Sequence, residues 1–153
     1  MSKITTYNRS SWEDRFNRPT IKQLRGGLPS NERQLFDALR KTLLELEGVE
    51  EGFAWYGESW KWAIELHTKL SDEPLAVIVP CPGDLQLAVP LDPSFTRSLS
   101  IKRMKRAVRD GLELAQEPFD ARWGIWSVQA KNLLEDLRHL VEQKLRHLAK
   151  AAG

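Results

Sequence analysis

The chain has 153 residues, 41% of them hydrophobic and 29% charged, with a formal net charge of +2. This is the composition of one ordinary globular domain. It argues against a disordered or fibrous chain, and so small a net charge does not by itself imply a nucleic-acid partner. A lone cysteine, Cys81, excludes an intramolecular disulfide, the first residues lack the apolar core of a secretory signal, and no stretch approaches the ~20 apolar residues of a membrane span. A cytoplasmic protein without membrane association is therefore expected.

In chain order, residues 1–28 read as an arm docked on the domain, with Trp12, Phe16, Ile21 and Leu24 as isolated apolar anchors. Arg18 is expected to be extended because Pro19 follows it, and Thr20 to Leu24 to form a short helical turn ended by Gly26-Gly27. A single domain over 29–150 follows. Ser30 or Asn31 offers an N-cap, and Asn31 with Gln34 has the form of a capping box. Leu35, Leu39, Leu43 and Leu46, with Phe36, make one apolar stripe; Glu32, Arg33, Asp37, Arg40 and Lys41 are expected outside it, and Gly48 is the natural stop. Val49 to Ser59, with Phe53, Trp55 and Tyr56, fits either a strand or a loop.

From Trp60 to Leu70 the large apolar residues alternate with Lys61, Glu65, His67 and Lys69, the period of a half-buried strand. Trp60, Trp62, Ile64, Leu66 and Leu70 are expected on the buried face. Ser71 to Pro74 breaks the run, Leu75 to Val79 reads as a central strand, and Pro80 to Asp84 is a second turn before the alternation resumes through Leu85, Leu87, Val89 and Leu91. Asp92-Pro93 opens a helix, and Ser100 reopens one whose apolar positions run through Met104 and Leu112, weakened by Gly111 and ended by Pro118. Arg122 to Val128 is one more strand pairing with the meander, and Asn132 with Glu135 caps a final amphipathic helix whose tail, from Lys150, is expected to fray. The fold class is α+β: an antiparallel sheet of about four to five strands with helices mainly on one face, in the order arm-α-β-β-β-α-β-α.

Asp14 through Pro19-Thr20 and Leu24 in the arm, Gly57 to Trp60 leading into the first long strand, and the Leu75 to Leu91 hairpin with Pro80 and Gly83 form a loose pattern, completed by Trp123 and by Leu137, Leu140 and Lys144 in the last helix. In these the chain resembles small uncharacterised bacterial α+β domains of unknown function, similar to the YdhG-like proteins. Some YdhG-like proteins are described as frataxin-like iron chaperones, which implies an acidic ridge. The nearest acidic residues are Glu45, Glu47, Glu50, Glu51 and Glu58, interrupted by Leu46, Gly48 and Val49.

Six tryptophans are the oddest feature of the chain. They can simply form core, or they can line an aromatic pocket on the open sheet face with Tyr56, Lys61, Glu65, His67 and Arg122 orienting a ligand. Trp126 must face away from Trp123 and Ile125 in a regular strand, which places an aromatic on the open side, where a small molecule or a second copy of the chain would bind. The alternative partner is phosphate or nucleic acid, held by the basic helix residues Lys102, Arg103, Lys105, Arg106 and Arg109, although Asp110 and Glu113 also fit a merely solvated face. No spacing has the form of a metal site, no motif implies a cofactor, and no catalytic constellation is recognisable. An enzyme built on Cys81 or His67 is the third option, and a non-catalytic binding domain the favoured one.

Overall fold

A computed structural model describes residues 10–100, 103–115 and 122–152. Among these residues six α-helices, α1 (Ile21–Gly26), α2 (Ser30–Leu44), α3 (Gly57–Trp60), α4 (Pro93–Ser98), α5 (Arg106–Glu113) and α6 (Lys131–Ala152), accompany five strands, β1 (Glu50–Trp55), β2 (Trp62–His67), β3 (Ala76–Cys81), β4 (Asp84–Pro90) and β5 (Trp123–Ser127). The strands form one antiparallel sheet in sequential order, β1-β2-β3-β4-β5, so the class is α+β as expected. The segment that fitted strand or loop is β1, paired from Glu50↔His67 to Trp55↔Trp62.

The registers place Ile64, Leu66, Ile78, Leu85, Leu87, Val89 and Trp126 on one face, in a single buried cluster with Leu35, Phe36, Leu39 and Leu43 of α2 and Leu134, Leu137, Leu140 and Val141 of α6. Helices thus cover this side, because each needs one apolar face removed from water.

Local chemistry decides several boundaries. A capping box forms at Thr20, whose hydroxyl accepts from Gln23 N while Gln23 Oε1 accepts from Thr20 N. The box expected at Asn31 does not form: α2 already starts at Ser30, behind Pro29, without a side-chain cap. At α4 the expected signal holds, with Asp92 Oδ1 accepting from Phe95 N at 2.9 Å and Pro93 in the first turn. α5 starts only at Arg106, after Lys105; at Ser100 the carbonyl accepts from Arg103 N at 3.0 Å, and residues 101 and 102 between them lie outside the described residues. The last helix stays helical through Ala152.

Glu32 departs from its expected solvent position. It is 7% exposed, and its carboxylate accepts from Gly83 N (2.7 Å) and Leu85 N (3.2 Å), tying α2 to the β3–β4 turn. Two backbone donors that the tight turn leaves unpaired find an acceptor there. Lys144 is likewise buried, at 4% exposure, and its ammonium donates to Pro90 O (2.8 Å) and Leu75 O (3.2 Å).

The arm docks through Trp12, Ile21 and Leu24, whereas Phe16 is 86% exposed and anchors nothing. Because Pro80 has no N–H, β3 cannot continue its ladder along β2; Trp62 N–H donates instead to Trp12 O, and Trp62 Nε1 to Asp14 O.

Candidate functional site

The sheet face turned away from the main helices carries Gly52, Ala54, Ala63, Glu65, His67, Val77, Val79 and Ala88, with Trp123, Ile125 and Ser127 on β5. Its centre is built of small residues, which leaves room for aromatic rings to pack over it. Trp60, Trp123, Ala63, Val77, Val79 and Ala88 form a second buried cluster, with Tyr56 packed against it. Trp60 and Trp123 meet edge to face at 5.1 Å, and Tyr56 lies 5.5 Å from Trp60.

The sequence pattern put Trp60 on the same face as Trp62 and Ile64. It lies instead in α3, the connection between β1 and β2, and turns to the opposite face. Gly57 (φ 80°) and Lys61 (φ 54°) bracket that turn, and their backbones close it, with Lys61 N donating to Gly57 O and Tyr56 N to Lys61 O. A left-handed non-glycine residue at Lys61 breaks the two-residue period that starts again only at Trp62.

Tyr56, folded over the face by this turn, donates its hydroxyl to Glu65 Oε2 at 2.5 Å. The other carboxylate oxygen, Oε1, lies 2.9 Å from His67 Nε2. Three of the expected ligand-binding residues are therefore one connected array. Burial and then the Glu65 carboxylate push the Tyr56 phenol well above its usual range, so it remains a donor. Nε2 is thus the ring atom held against Glu65, and Nδ1 is the second polar atom of the His67 ring. His67 is the accessible end of the array, its side chain 40% exposed against 19% for Glu65.

His67 also opens onto a cleft of about 610 Å³ at the end of the sheet, lined by Glu47, Glu50, Lys69, Leu70 and, from α6, Leu145. This lies within the ~300–1,000 Å³ of small-molecule sites.

The remaining expected residues do not join this array. Lys61 donates to Glu58 O at 2.8 Å and sits 5.4 Å from the Trp12 ring centre. Arg122 is exposed beside β5, with its carbonyl accepting from Leu91 N. Trp126 does face away from Trp123 and Ile125, but the side it faces is the helix-covered one. It is 4% exposed, and its Nε1 donates to Ala107 O of α5 at 3.1 Å. Two glycines make that position possible, for a Cβ at Gly111 would fall 2.2 Å from Trp126 Nε1 and one at Gly124 2.6 Å from Cη2.

Of the basic set, Lys102 lies outside the described residues. Arg103 and Lys105 precede α5 rather than sharing a helix face with Arg106 and Arg109. Lys105 pairs with Asp136 (3.2 Å), Arg106 with Asp110 (3.6 Å) and Arg109 with Glu113 (3.7 Å).

Cys81 is half-buried; burial first, then Asp84 and Glu32, pushes its thiol up, away from a nucleophilic thiolate. Among the described residues no group of three or more His, Cys, Asp or Glu side chains could hold a metal ion. Of the acidic residues, Glu47 and Glu50 share the cleft beside His67, whereas Glu51 pairs with Arg40 at 2.6 Å on the other sheet face and Glu58 lies in α3. Within the described residues no helix is long and apolar enough to cross a membrane.

Sequence reading missed Glu32, Lys144 and Trp123 as positioning elements. Only Trp123 had a signal, the two-residue spacing to Ile125. No protein-family model, curated protein or solved structure matches the chain.

Proposed function

We propose that this is a non-catalytic cytoplasmic domain that binds a small molecule at the cleft where His67 ends the Tyr56–Glu65–His67 array. The observation that carries the reading is the coupling of a half-buried carboxylate to both a tyrosine and an accessible histidine at the wall of a cleft. A carboxylate satisfied on both oxygens holds its imidazole in one orientation, which costs free energy unless that orientation serves packing or a ligand. His67 is too exposed for packing to be the reason.

The lining selects a ligand class. Glu47, Glu50 and a ring nitrogen of His67 outweigh Lys69, while Leu70 and Leu145 supply an apolar wall. A small amine or polyol with some hydrocarbon surface matches that combination. Self-association through this face has less support, because Trp60 and Trp123, its largest aromatics, are 7% and 4% exposed.

Native mass spectrometry of the protein as purified at low salt tests the reading. A retained small-molecule mass that disappears in His67→Ala and Glu65→Gln, with unchanged thermal unfolding, is the expected result. A bare monomer, with no amine or polyol shifting the His67 ring resonances in NMR titration, would overturn it.

A further inference from the structure

A second site lies along another face of α6, where residues 98–100 and 103–105 line hollows beside it. Two hollows adjoin there. One, of about 250 Å³, is lined by Arg103, Lys105 and His139 over a floor of Met104, Val108 and Leu140. Its neighbour, of about 230 Å³, is lined by Leu99, Arg146, His147 and Lys150. Gln143 belongs to both, so the hollows adjoin at that side chain as two halves of an interrupted groove.

α6 sets the spacing of the groove. His139, Gln143, Arg146, His147 and Lys150 recur at three- and four-residue intervals, which keeps them on one helix face. From His139 to Lys150 the helix rises ~16 Å at 1.5 Å per residue. Asp136 is the one acidic residue lining the groove, and it is engaged by Lys105 at 3.2 Å. Glu142, one position from the groove, lies 3.8 Å from Arg146 and 3.7 Å from Arg138. Among the described residues Arg103 and Lys150 have no acidic partner within salt-bridge distance.

Gln143 is the residue common to both hollows. Its Oε1 is buried and has no hydrogen-bond partner among the described residues. Buried amides ordinarily have partners, and an amide can turn either its oxygen or its nitrogen toward one.

We infer that this groove binds a small molecule carrying two or more phosphate groups, with Arg103 and His139 at one end and Arg146, His147 and Lys150 at the other. Arginine and lysine suit phosphate oxygens at both ends, and the length exceeds that of a single phosphate. Among the described residues no tryptophan, tyrosine or phenylalanine lines either hollow, which offers no stacking platform of the kind that holds single-stranded nucleic acid. The inference is independent of the His67 cleft.

Isothermal titration of the full chain with inorganic tripolyphosphate at low salt is the test. Binding is expected, weakening about tenfold in Arg103→Gln and again in Arg146→Gln, and weakening as salt is raised. Arg103 and Arg146 are exposed, so both variants keep the fold, which circular dichroism verifies. Exposed Lys41→Gln on α2 is the control and should leave the affinity within about twofold. No heat of binding, or equal weakening in the Lys41 variant, would overturn the inference. So would an oligothymidylate that binds more tightly than tripolyphosphate and is not displaced by it, since that assigns the groove to nucleic acid.

Discussion

Lys144 permits a quantitative check of the helix–sheet core. The residue is 4% exposed and its ammonium rests on the carbonyls of Leu75 and Pro90, with no carboxylate of the described residues within salt-bridge distance. Burial lowers its pKa from 10.5 to about 8, opposed by the more distant Glu73 and Asp92. Between those two values the unfolded chain holds a proton that the folded chain does not, so stability rises with pH across this window. Below about pH 8 both states are charged and the folded one bears the full desolvation penalty, about 3 kcal/mol from the separation of the two pKa values. Lys144→Met removes the titration. Urea unfolding of both proteins should therefore give a stability difference that moves in favour of the native chain by about 2 kcal/mol between roughly pH 7.5 and 9.5 and about 3 by roughly pH 10.5. Subtracting the variant cancels every group that titrates alike in both. Parallel pH profiles for the two proteins would refute the reasoning and show that water or a carboxylate reaches Lys144.

Three further substitutions probe the elements that position the sites. Glu32→Ala strands the N–H groups of Gly83 and Leu85 and should cost about 3 kcal/mol, read from the urea midpoint; a cost below about 1 would mean that the turn holds itself. Gly111→Ala, which helix propensity alone would favour by nearly 1 kcal/mol, should instead destabilise by about 1–3 kcal/mol in thermal unfolding, because the added methyl meets the Trp126 indole. Lys61→Gly should stabilise by about 1 kcal/mol in the same assay, since relief of the left-handed backbone exceeds the lost contact with Trp12; a loss of stability would show that the contact is worth more.

Much of the fold was legible because local chemistry and global packing agree. The strand periods, the Asp92-Pro93 helix start and the leucine stripes of α2 and α6 each depend on neighbours within a few residues. The Tyr56, Glu65 and His67 candidates also came from that level, since alternation alone puts Glu65 and His67 on the face opposite Ile64 and Leu66. That Tyr56 joins them was not legible. It depends on the backbone reversal at Lys61, a conformation that nothing in a lysine announces.

Trp126 marks the division most clearly. Period two in β5 determined that Trp126 and Trp123 face opposite ways, and the sequence by itself went no further. Only the tertiary structure decided which of them meets the helices, because the choice rests on Gly111 of α5 and Gly124 of β5 leaving space for one indole. Glu32 and Lys144 follow the same logic: charged residues read as solvent-facing until partners from β4 and from the segments at either end of β3, 51 to 69 positions away, supply the hydrogen bonds that let them be buried. Periodicity records how a chain divides its surface into two sides, and only long-range packing assigns a partner to each side.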